Sequence, residues 1–210
     1  MGEHVMEERP NVVVAVTGHR RIDPVLIPDL RLRVAGVLDG LCLRAGGAPR
    51  LCMLNALAVG ADSLVFDIAV GKGIPVDAVL PLPPEEYEKD FAPGADGDGF
   101  RRRLGKARRV WVPERAVPRP ECYAVLGRAL LGSADTLLAL WNGSMDGPPG
   151  GTASVIRAAR ARGAVLRSDP REGSKVSLEC ISMGPRREGC ARHGLMSEGW
   201  RVAGEGRECR

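Results

Sequence analysis

The chain has 210 residues, enough for one sizeable core and short of two independent ones. Its 44% hydrophobic and 4% aromatic content requires a mostly aliphatic core and leaves few rings for stacking nucleic-acid bases. A net charge of +4 is too modest to mark a nucleic-acid binder, and no apolar run approaches the roughly 20 residues of a membrane span.

In chain order, residues 11–16 (NVVVAV) form a β-branched run ending at Thr17-Gly18, which suits a strand buried on both faces. Residues 28–44 carry a helical stripe, Leu30, Val34, Val37, Leu38 and Leu41, closed by Gly46-Gly47. Residues 50–57 predict a second strand. A turn over 58–62 leads into a helix with Leu64, Val65, Ile68 and Ala69 inward. Residues 74–80 predict a third strand, cut by Pro81. A loop to residue 98 follows, holding a short acidic-aromatic piece over 85–91. A basic helix then precedes a strand at 109–112. Its cluster of Arg101, Arg102, Arg103, Lys106, Arg108 and Arg109 reads first as a solvated face and second as an anion or nucleic-acid surface. Residues 121–131 predict a helix, 136–141 (TLLALW) a buried strand, 152–162 a last helix, and 164–166 the start of another strand.

Strands alternating with helices specify an α/β fold, a Rossmann-like doubly wound and mostly parallel sheet with helices on both faces. Pattern alone does not order the strands. The expected organisation is an N-terminal extension (1–10), one domain (11–166) and a polar C-terminal tail (167–210) without a core pattern. Such a tail fits a flexible segment or an aberrant one, as from a shifted reading frame. Six cysteines occur without a CxxC pair: Cys42, Cys52 and Cys122 read as ordinary thiols, and Cys180, Cys190 and Cys209 lie in the tail. No metal site has recognisable spacing. With a charged rather than apolar start, a cytoplasmic setting without a membrane partner is expected.

In an open parallel sheet, ligands bind beyond the carboxyl ends of the strands, where four turns of this chain fall. After the first strand, Gly18 lets a ligand approach the backbone, and Arg20 either pairs with phosphate or ribose oxygens or faces solvent. His19 has no identifiable carboxylate partner, so a positioning or hydrogen-bonding role is assigned to it. In the second turn, Gly60, Ala61 and Asp62 open a helix; its free N–H groups suit an anion, and Asp62 more commonly caps such a helix. The third turn is the strongest. Trp141 and Asn142 lead into a Gly/Pro loop, and Gly150, Gly151 and Thr152 start a helix whose N–H groups and dipole attract a phosphate. Thr152 either donates its hydroxyl there or serves as N-cap. The loop lacks the Lys of a P-loop, and no GxGxxG follows the first strand, which disfavours an ordinary NAD-binding site. The fourth turn holds Glu85, Glu86, Tyr87 and Asp90. Tyr87 stacking on a base, or Asp90 meeting a ribose, competes there with a surface helix stapled by Tyr87 and Phe91.

TGHR at 17–20, ALAVGADSLVFDIAV at 56–70, PLPPEEYEKDF at 81–91 and SADTLLALWNG…GPPGGTASVIRAARARG at 133–163 together resemble the SLOG superfamily. That group includes the LOG ("lysine decarboxylase-like") phosphoribohydrolases, the bacterial DNA-processing protein DprA and the nucleotide-sensing domain of melastatin-type channels. The resemblance implies a Rossmann-like sheet that binds a nucleotide, with the first Gly turn and the GGT loop cradling phosphate and ribose. LOG hydrolases carry PGGxGTxxE with a Glu on the helix. Here the loop is PPGGT followed by Ala153, Ser154 and Val155, so no carboxylate stands there for acid/base work. The expectation is therefore a domain that binds or senses a nucleotide or ADP-ribose-like ligand, with no catalytic residue assigned and no cofactor. Alternatives are a phosphoribohydrolase and, third, DprA-like binding of single-stranded DNA; a nucleic-acid partner is disfavoured. Self-association is compatible with the family.

Overall fold

The computed structural model describes residues 10–114, 116–162, 165–169, 176–183 and 199–203. Five of the seven residues of β1 (Val12–Gly18) are buried, as is all of β2 (Leu51–Asn55), β3 (Val76–Val79) and β5 (Thr136–Trp141). Continuous burial follows from helices on both faces of a parallel sheet. Along β1, Val14 and Val16 join one core while Val13 and Ala15 join the other, the period-2 alternation of a strand.

The first core packs under α1 (Ile27–Ala45), α2 (Ala61–Gly71) and α4 (Ala95–Leu104); the second packs under α5 (Arg119–Ser133) and α6 (Thr152–Ala161). The short α3 (Pro84–Tyr87) continues into a 3-10 turn at Glu88–Asp90. β4 (Arg109–Pro113) is parallel to β3, and β6 (Val165–Asp169), β7 (Ser177–Ser182) and β8 (Trp200–Val202) complete an eight-stranded sheet. Its order is β6-β7-β5-β1-β2-β3-β4-β8. Pairs from β5 through β1, β2 and β3 to β4 are parallel, whereas β7 is antiparallel to both β5 and β6, and β8 to β4.

The chain lays down β1 to β4 in one direction across the sheet, then returns under α5 to place β5 on the other side of β1. The order therefore reverses between β1 and β5, and a crevice opens beyond their carboxyl ends. Among the described residues the expected strands and helices from 11 to 166 are present, with ends shifted by a few residues; Ala164, expected to open the last strand, lies outside the described residues. Beyond Arg167, where no periodicity was legible, β7 and β8 are built into the sheet. Leu178 and Ile181 of β7 are fully buried on opposite faces, and Trp200 of β8 joins the α5–α6 core.

Candidate functional site

A cleft of about 410 Å³ occupies the crevice. It gathers Thr17, Gly18, His19 and Arg20 from the end of β1, Ala58 from the turn before α2 and Asp62 from its first turn, Tyr87 from α3, and residues 146–148 and 150–153 from the loop that opens α6. Val16, Leu126, Leu130 and Val155 give it an apolar wall. An apolar groove with a few convergent polar groups is the usual form of a small-molecule site.

The floor at Gly18 is set by packing. A Cβ there would lie 2.3 Å from Ala61 Cβ and 2.6 Å from the Leu140 carbonyl oxygen, so β1, β5 and α2 converge too closely for any side chain. The adjacent His19 N–H donates to Leu140 O at 3.0 Å and extends the β1–β5 pairing by one rung. His19 Nε2 accepts the Asn142 N–H at 3.0 Å, tying the two loops across the switch point. Asn142 Oδ1 in turn accepts from the Ser144 N–H at 3.0 Å.

Pro148–Gly151 has the signature of a type II turn. Pro149 and Gly150 are the central residues, Gly150 sits at φ +80°, and the Gly151 N–H donates to Pro148 O at 3.0 Å. The turn rests on α5, where a Cβ at Gly150 would meet the backbone at Tyr123 and Ala124 at 2.6 Å. Gly151 occupies the N-cap of α6 and Thr152 its first turn, so Thr152 is not the cap that local spacing allowed. Its hydroxyl is left for the cleft. The Thr152 and Ala153 N–H groups take no acceptor among the described residues, as expected of a helix start.

On the α2 side, Gly60 holds the N-cap position at φ +88°, and a Cβ there would collide with the His19 and Arg20 carbonyls at 2.4–2.5 Å. That glycine, and Ala61 through its N–H bond to His19 O at 3.0 Å, serve the contact between two loops. Asp62 does not act as the N-cap. It lies in the first turn, 6% exposed, and its carboxylate accepts from the Ala58 N–H at 3.4 Å. Burial raises its pKa to about 7, against partial relief from backbone N–H groups and the Arg20 charge. Asn55 was missed in the sequence. Its amide donates to Asp62 O at 3.0 Å and its Oδ1 accepts from the Leu57 N–H at 2.7 Å, and Leu57 adopts φ +60°. A polar residue ending an otherwise apolar buried strand was the available signal.

Arg20 is steered by an aromatic group. It donates to the Tyr123 hydroxyl at 3.1 Å and lies 5.7 Å from the Tyr123 ring centroid. The Tyr123 hydroxyl donates to Asp90, which also pairs with Arg119. Burial, with Asp90 adding to it, pushes the Tyr123 phenol up to about 12. Tyr87 packs edge-on against Phe91, Phe100 and Tyr123 with centroids 5.1, 5.5 and 6.4 Å away. It is buried rather than a surface staple, because α4 supplies Phe100 from outside the local sequence.

Of the eleven candidate residues, Gly18, His19, Arg20, Asp62, Gly150, Gly151 and Thr152 line this cleft. His19, Arg20 and Asn142 also face an adjoining open cavity with Arg21, Asp23, Leu26 and Val176. Trp141 lies away from the cleft in the second core, with Arg160 5.5 Å from its ring centroid. In the basic cluster, Arg101 pairs with Glu88 and Asp98, Arg103 with Asp67 at 2.7 Å and Arg108 with the buried Asp77 at 2.8 Å. Carboxylates already take up much of that positive charge. Among the described residues no His/Cys/Asp/Glu group is placed to hold a metal ion, and no helix is long and apolar enough to cross a membrane.

No family model and no curated protein matches the sequence. Among solved structures, DNA processing protein A from Helicobacter pylori, whose single-stranded DNA binding mode has been described, is similar with 15% identity and a TM-score of 0.47. The match covers 72% of this chain and 62% of that one, so the chain spans less than two thirds of that protein.

Proposed function

We propose that this chain is a SLOG-type domain that binds a nucleotide or nucleotide derivative in the β1–β5 cleft, with a phosphate seated at the start of α6. The observation that carries this reading is the convergence of Arg20, Thr152 and the unpaired first-turn amides of α6 on one groove with an apolar wall. Amides at a helix start donate to an anion, the helix dipole favours its charge, and the wall accepts a base or other planar group. One Arg and one helix start are balanced against Asp146 and Asp62 at the same groove. That charge count suits a mono- or diphosphate better than a triphosphate.

The test is isothermal calorimetry with AMP, ADP and ADP-ribose on the wild-type chain and Gly151→Asp. Gly151 has φ −76°, which any residue adopts. Its Cβ would press on the Pro148 carbonyl oxygen at 3.1 Å, a contact that a small shift of the exposed loop relieves, and the added carboxylate stands at the proposed phosphate seat. Binding should be lost while the melting temperature changes little. Equal affinity in the two proteins would sink the phosphate seat. Free adenine appearing from AMP would instead establish hydrolysis.

A further inference from the structure

Asp62 of α2 and Tyr87 of α3 line the same cleft, one with a carboxylate able to accept further donors and the other with a hydroxyl that no described residue engages. The Tyr87 hydroxyl is buried and has no partner among the described residues. Asp62 is buried too, its carboxylate is approached by backbone N–H groups, at 3.4 Å from Ala58 and also from Ala56, and it makes no ion pair among the described residues. The two groups lie near enough that, after burial itself, the Asp62 charge is the largest influence holding the Tyr87 phenol un-ionised. Arg20, the cation of the cleft, is engaged by the Tyr123 hydroxyl rather than by Asp62. A buried hydroxyl without a partner, as at Tyr87, is rare enough in folded proteins to call for an explanation.

We propose that Asp62 and Tyr87 form a sugar subsite of the cleft, in which a ribose hydroxyl accepts from the Tyr87 O–H and donates to the Asp62 carboxylate. This rests on the nucleotide reading of the same cleft and specifies its second end. A hydroxyl is a donor and an acceptor at once, so one group completes both side chains. An ammonium group would leave the Tyr87 O–H without an acceptor and would meet Arg20 in the same groove. A second phosphate would face Asp62.

The experiment compares AMP with 2′,3′-dideoxyadenosine 5′-monophosphate by calorimetry on the wild-type chain, Tyr87→Phe, Asp62→Asn and Gly151→Asp. The wild type should bind AMP at least tenfold more tightly than the dideoxy compound, and Tyr87→Phe and Asp62→Asn should each erase most of that difference. Equal affinity of the wild type for both compounds overturns the sugar subsite and leaves the phosphate seat standing. AMP binding that survives Gly151→Asp but fails in Asp62→Asn overturns the phosphate seat and leaves the subsite. Absence of binding by either compound overturns both. Thermal denaturation supplies an independent readout, since Tyr87→Phe removes a hydroxyl with no partner and should melt no lower than the wild type. A lower melting temperature would show that hydroxyl to be partnered within the fold and would overturn the proposal.

Discussion

At neutral pH the Asp62 carboxyl divides between acid and carboxylate, because burial lifts its pKa from 3.8 to about 7. In the unfolded chain the same group ionises from about pH 4 upward. The folded state therefore loses stability as pH rises from about 4 to about 7 and carries the full penalty above that. At 1.36 kcal/mol per unit, the interval is worth roughly 4 kcal/mol. Asp62→Asn removes the titration and keeps the Asn55 bond, which goes to the backbone carbonyl. Urea denaturation should find the variant more stable than the wild type at pH 8, with the gap closing towards pH 4. A gap that does not change with pH would mean that Asp62 ionises normally in the fold. This behaviour was not legible from residue spacing, which marks Asp62 as a helix cap. Capping depends on the neighbouring few residues, whereas desolvation depends on α3 and the β1 turn, which the fold brings from elsewhere in the chain.

Among the elements, α6 and its opening loop were the most legible. A buried strand, a Pro-Pro-Gly-Gly turn and an amphipathic helix each obey local rules, and the helix buries Ala153, Val155, Ile156 and Ala159 as its spacing requires. What spacing could not supply is the surface under the turn, the Tyr123–Ala124 backbone of α5. Gly150 is thus constrained twice, by φ +80° and by a Cβ position 2.6 Å from that backbone. Gly150→Ala should cost about 2 kcal/mol or more in chemical denaturation, and should weaken AMP binding by moving the α6 start off its support. An alanine variant with wild-type stability and affinity would show that the turn is not anchored on α5. The β2–α2 loop was less legible for a related reason. Its path is fixed by Asn55, whose two bonds bridge to Leu57 and Asp62 within the buried region, and strand propensity gives such a residue no role.

At the scale of the whole molecule, the alternation of elements up to residue 166 specified the class of fold, but the sheet closes with strands that pattern did not mark. β5 is six consecutive buried residues, and without a neighbour on its outer side it would present an apolar unpaired edge. β7 covers that edge along its full length, from Thr136 opposite Ser182 to Trp141 opposite Ser177. The segment SLECIS escapes a periodicity search because it is short and its buried positions, Leu178, Glu179 and Ile181, mix both faces and include a charge. Glu179 is tolerated there beside Arg160, 3.4 Å away. If β7 is part of the folding unit, Ile181→Asp should destabilise the chain by about 3 kcal/mol or more, since it places an unpaired carboxylate in the α5–α6 core. A chain ending at Arg162 should aggregate or lose its cooperative unfolding transition, because β5 is then an exposed edge. Wild-type stability in both would place everything after α6 outside the domain. Stability lost by the point variant and solubility lost by the truncation would extend the folding unit to at least Ser182.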